Sequence, residues 1–119
     1  MDQTELLVKK IVEGLQEKKG KEIAIIDLTK LSGAICQYMV ICEGNTPTQV
    51  GALSDSVWDY VRKELSDKPI SIDGEKQAQW IGMDYGKVLV HIFIPELRSY
   101  YNLENLWADS KVIRVPDLD

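Results

Sequence analysis

The chain is poor in the residues that most often carry site chemistry. It has one histidine, His91, and two cysteines, Cys36 and Cys42. A zinc site needs clustered ligands, and these three do not have that spacing. Read as one extended stretch, 36–42 points both cysteines to one face, too far apart for easy bridging. Two reduced core thiols in a cytoplasmic protein are the expectation. Bases are also outnumbered: 14 Lys and Arg against 19 Asp and Glu leave a formal charge of −5. Phosphate contacts need clustered Lys and Arg, so nucleic acid suits this surface poorly and a basic protein suits it better. No apolar run approaches the ~20 residues of a membrane span, and MDQTELLVKK lacks the apolar core of a signal peptide. Repeats and low-complexity segments are absent too. The 119 residues, 45% hydrophobic and 28% charged, fit one folded domain over 1–119.

What is present is a clear alternation of helix and strand patterns. Asp2 and Glu5 form a capping-box pattern ahead of an apolar stripe at Leu7, Ile11 and Leu15, and Gly20 follows as a stop. IAIID (23–27) and QYMVIC (37–42) read as strands, the second apolar on both faces. GNTPTQV is the clearest helix start, with Thr46 as cap, Pro47 at the first helical position and Gln49 completing the box. Val50, Leu53, Val57, Val61 and Leu65 then mark the core face of a helix of about 18 residues. ISID (70–73) is a short strand, AQWIGMD (78–84) and KVLVHIFI (87–94) a hairpin, and ELRSYYNLENLW one or two helical turns after Pro95. The tail KVIRVPDLD has no strong pattern. The order predicts an α+β fold, a five-stranded mixed sheet flanked by helices, with strand 37–42 crossing through the long helix to strand 70–73.

Three places invite a functional reading. His91 has apolar neighbours along its strand, and no carboxylate is assured within reach to orient it for catalysis. A two-residue turn at Tyr85-Gly86 would pair Asp84 with Lys87 and set Trp80 opposite His91, whereas a bulged three-residue turn would break that pairing. A structural or interface histidine is favoured over a catalytic one. GNTP before a helix could hold an anion, but capping explains each of its residues. Asp73-Gly74-Glu75 could bind a metal with Asp84, but the same residues are good turn formers. The third place is the aromatic segment Tyr100, Tyr101, Leu103, Leu106 and Trp107, with Trp80 and Tyr85 nearby. Tyr and Trp dominate protein–protein hot spots, and Arg98, Glu96, Glu104 and Asp109 could form a polar rim.

Two runs carry a family resemblance. W-I-x-M-D-Y-G-x-V-x-V-H-I-F (80–93) and P-E-x-R-x-Y-Y-N-L-E-N-L-W (95–107) resemble the ribosomal silencing factor family, also called Iojap. M-V-I-C-E-G-N-T (39–46) and the helix after it fit the same family in order and spacing. The resemblance implies a nucleotidyltransferase-like fold without enzymatic activity, cofactor, metal or catalytic residue. It also implies binding to ribosomal protein fourteen of the large subunit, which blocks joining of the small subunit when nutrients are short. A homodimer when free, little nucleic-acid contact, no membrane and a cytoplasmic location are implied as well. The family's motif positions fall on Trp80, Asp84, Tyr85, Gly86, His91, Phe93, Arg98, Tyr101, Leu103, Glu104, Leu106 and Trp107. Of these, Trp80, Asp84, Tyr85, His91, Arg98, Tyr101, Leu103, Leu106 and Trp107 are the expected partner-binding residues. Gln37 and Lys87 depart from the family, which usually has acids there. The competing reading is a nucleotidyltransferase-like enzyme using Gly44, Asp73 and Glu75, although Gly44-Asn45 lacks the serine of that motif.

Overall fold

A computed structural model describes residues 2–107 and 109–118. Helix α1 spans Gln3–Glu17 and is followed by strands β1 (Lys21–Asp27) and β2 (Tyr38–Glu43). Helix α2 (Pro47–Leu65) leads to β3 (Ser71–Asp73), β4 (Trp80–Asp84) and β5 (Val88–Phe93). Short helices α3 (Pro95–Tyr101) and α4 (Leu103–Leu106) precede β6 (Lys111–Arg114). Both long helices begin where local chemistry predicts. Asp2 accepts the Glu5 N–H at 2.8 Å, and Thr46 accepts the Gln49 N–H at 3.1 Å. The Gln49 side chain accepts the Asn45 N–H at 2.7 Å and completes the capping box.

The strands form one open sheet of six, in the order β3-β4-β5-β2-β1-β6. The five-stranded expectation is therefore one short: β6 comes from the tail, pairing antiparallel with β1 over 24–27. Its own sequence gave little sign because it is an edge strand, mostly exposed, whose partner lies far away in the chain. The crossover through α2 also lands farther off than neighbouring strands would require. β2 pairs in parallel with β5, while β3 lies at the sheet's far edge.

Alternation along the strands splits the interior into two layers. On one face, α1 and α2 cover Ile23, Val40, Cys42, Ile81, Met83, Val88, Val90 and Ile92. On the other, Ile26, Met39, Ile41 and Phe93 are covered by Leu28 and Cys36 of the β1–β2 connection and by Leu97, Leu103 and Trp107. The two cysteines are free and buried but lie in different layers. Placing them on one face fails because Cys36 precedes β2, where the chain bends and the alternation has not begun. Gly44 lets α2 approach β2, since a Cβ there would stand 3.0 Å from the Val50 backbone nitrogen.

Candidate functional site

The face opposite the long helices carries an aromatic cluster. β4 contributes Trp80, Gly82 and Asp84, and β5 contributes Leu89, His91 and Phe93, by strict alternation. The pairing is Trp80 with Phe93, Gly82 with His91 and Asp84 with Leu89. Trp80 opposite His91, and Asp84 opposite Lys87, are thus corrected. The turn sits one residue later than expected, because the Tyr85 N–H donates to the Val88 carbonyl at 2.9 Å. Gly86, at φ +87°, takes the first position of the turn, which a residue with a Cβ resists. Asp84 Oδ1 accepts the Gly86 N–H at 2.7 Å and holds it there. Moving the turn by one residue changes every partner by two, so Trp80 and His91 still share a face.

They also touch. The Trp80 indole N–H donates to His91 Nδ1 at 3.0 Å. An indole nitrogen can only donate, so His91 is neutral and carries its proton on Nε2. Burial pushes the imidazole down to about 4, which keeps it neutral at physiological pH. Trp80 stacks on Phe93 at 5.1 Å between centroids and meets Tyr101 at 4.4 Å. Tyr100 packs edge-on against Tyr101 at 5.1 Å and is itself 79% exposed. Tyr101 and Leu106 are 43% and 69% exposed. Aromatic groups left this open beside a packed cluster give a face that is apolar yet rigid.

Arg98 is the frame of this face rather than its rim. It is buried on α3, and its Nε and Nη2 donate to Glu104 at 3.3 and 2.8 Å. Nη1 donates to the Glu22 carbonyl and stands 3.5 Å from Glu43. Glu22 is bulged out of β1 at φ 52°, which frees that carbonyl. Burial pushes the Glu104 carboxyl up, but Arg98 and Arg114 outweigh it and hold the group below the ordinary carboxylate range. One guanidinium thus ties α3 and α4 to β1 and β2, and Arg114 of β6 joins at 2.6 Å from Glu104. The αL residue Asn102 separates α3 from α4, its N–H returning to the Arg98 carbonyl at 2.8 Å.

The expected residues therefore divide. Trp80, His91 and Tyr101 come together, Asp84 shares their face of the sheet but stands at the hairpin end beside Gly86, and Leu106 is exposed on α4. Leu103 and Trp107 are half-buried beneath the same layer, with the Trp107 Nε1 enclosed and without a hydrogen-bond partner among the described residues. Tyr85 does not join them. It is buried in the helix-side layer, where burial pushes its phenol well up. Gln37 and Lys87, distant in the chain, meet through a Gln37 N–H to Lys87 carbonyl bond of 2.8 Å, with both side chains exposed. Ile35 is exposed too, and its only signal in the sequence is an isoleucine within a glycine- and serine-containing loop. Around Asp73, Glu75 and Asp84, as elsewhere among the described residues, no three His, Cys, Asp or Glu side chains are grouped to hold a metal.

Comparison with known proteins gives this geometry a family. A family model described as "Ribosomal silencing factor during starvation" matches residues 1–119. The ribosomal silencing factor RsfS of Zymomonas mobilis is 37% identical over 104 residues, covering 87% of this chain and 77% of that protein. A mouse protein, "Mitochondrial assembly of ribosomal large subunit protein 1", is 26% identical over 82% of this chain and 43% of its own length. The crystal structure of a Chromobacterium violaceum protein superimposes with a TM-score of 0.82 at 33% identity, covering 91% of this chain and 88% of that one. The chain belongs to the ribosomal silencing factor family, and its role lies in ribosome-associated regulation of translation.

Proposed function

We propose that the chain silences translation by docking on ribosomal protein fourteen of the large subunit and sterically blocking the small subunit. Nothing has to be turned over for this to work. A protein that occupies the joining surface represses by mass action, and a rigid apolar face suits that task better than a reactive site. The observation that carries the reading is the half-buried pair of Trp80 and His91 with exposed Tyr101 against it, continued by exposed Tyr100 and Leu106. Trp and Tyr anchors of this kind supply most of the binding energy at protein interfaces. The formal charge of −5 favours encounter with a basic ribosomal protein. The mouse relative's name, which refers to the large subunit, supports that subunit over the small one. Trp80, Asp84, Tyr101 and Leu106 are assigned to the contact, and His91 takes part in it through Trp80. Arg98, Leu103 and Trp107 support it from beneath, and Tyr85 anchors the hairpin from the opposite face.

In the same proposal the free protein is a cytoplasmic homodimer and needs no cofactor. Titration of purified ribosomal protein fourteen against the chain tests the partner. Saturable binding that weakens with salt and is lost in Trp80→Ala and Tyr101→Ala supports the assignment. Absence of binding to that protein, with retained binding to intact large subunits, would move the contact elsewhere on the subunit.

A further inference from the structure

Trp80 is held by three neighbours of different kinds. Phe93 lies beneath the indole and Tyr101 beside it, and both contacts are dispersive and tolerate a ring turned about its axis. Only the hydrogen bond to His91 has a direction. Among the described residues the other ring beside the imidazole is Phe93, 6.0 Å away between centroids, a contact that supplies no hydrogen-bond direction. Gly82, its direct cross-strand partner, presents no side chain, and even a methyl group there would stand 3.8 Å from Nδ1 and 3.9 Å from Cε1. On the other side the register neighbour is Ile41 of β2, which is apolar. The two rings therefore fix one another. Gly82 has no positive φ and meets no clash, so the backbone does not demand a glycine at that place.

We propose that His91 is the positioning residue of the docking face: by accepting the Trp80 indole N–H at Nδ1, it sets the angle at which the indole meets the ribosomal partner. This rests on the docking reading above. The indole spends its one polar group internally and offers the partner a π surface, while His91 acts through Trp80 and not by proton transfer.

The test uses the full chain and exploits its single histidine, which makes the ring-nitrogen NMR spectrum unambiguous. The expected result is a neutral imidazole with the proton on Nε2 and a slowly exchanging Trp80 indole N–H. A proton on Nδ1 would overturn the proposal without any binding measurement. Two variants then separate positioning from bulk. His91→Phe keeps a ring in the layer but removes the acceptor, and affinity for isolated large subunits should fall about fivefold to tenfold. His91→Asn places an amide oxygen near the position of Nδ1 and should recover most of the loss. Unchanged affinity in a folded His91→Phe, with its indole N–H exchanging freely, would refute positioning and leave docking intact. Failure of the wild-type chain to bind large subunits would remove the docking reading, and the proposal with it.

Discussion

Between pH 7 and pH 5, acidification should destabilise this protein chiefly through His91. The free imidazole titrates near 6.5, and burial brings His91 down to about 4 in the folded chain. Above 6.5 both the folded and unfolded states are neutral there, and stability does not depend on the group. Between 6.5 and about 4 the unfolded chain takes up a proton that the folded chain refuses, so stability falls as pH falls. From pH 7 to pH 5 the loss amounts to about 2 kcal/mol, and it levels off near 3 kcal/mol once the folded imidazole also protonates. Protonation of the folded state requires Nδ1 to give up the Trp80 indole, so the two events are coupled. Other groups titrate in the same region. Burial raises Glu43, which would act in the opposite direction, and Glu13, Asp27 and Glu104 are lowered. Urea unfolding of wild type and His91→Asn at pH 7, 6 and 5 isolates the histidine, since the other groups are common to both. The wild type should lose about 2 kcal/mol relative to the variant across that range. Parallel pH profiles, or a histidine titrating near 6.5, would refute the burial argument.

Three further outcomes follow from the geometry. Arg98→Met should cost about 3 kcal/mol in urea unfolding, because Glu104 and Glu43 lose the cation that compensates their burial, and adding Glu104→Met should restore part of it. Gly74→Ala should destabilise by more than about 2 kcal/mol, since its Cβ would lie 2.0 Å from the Trp80 carbonyl oxygen at φ +90°, and thermal melts would register it. Ser66→Gly should stabilise by about 0.5–1 kcal/mol, because the αL conformation that ends α2 suits glycine, and a rise in urea midpoint would show it.

The parts of this fold that were legible in the sequence are those with local causes. Asp2, Thr46 and Gln49 announce two helices because caps act within one turn of the chain. β6 is hard to read because Val112, Ile113 and Val115 are β-branched but do not alternate with polar residues, and the pairing that makes them a strand comes from distant β1. Tyr85-Gly86 has turn composition, but the turn lies one residue later because the side chain of Tyr85 belongs to the core. The site was legible as a group of residue types but not as a geometry. Arg98 looked like a rim charge, and only the fold brings residues 22, 43 and 104 around it. A two-residue turn at Tyr85-Gly86 would make Trp80 and His91 direct cross-strand partners, and a bulged turn would separate them. They are diagonal neighbours, joined by a bond that alternation alone could not predict.

The most direct test of the account is a subunit-joining assay with purified large and small subunits and this chain at increasing concentration. The wild type should sediment with large subunits and suppress formation of the joined ribosome. Trp80→Ala, folded by circular dichroism, should need at least about thirtyfold more protein for the same effect, as a lost hot-spot aromatic of about 2 kcal/mol implies. A wild-type chain that stays free of large subunits and leaves joining unchanged would contradict the account.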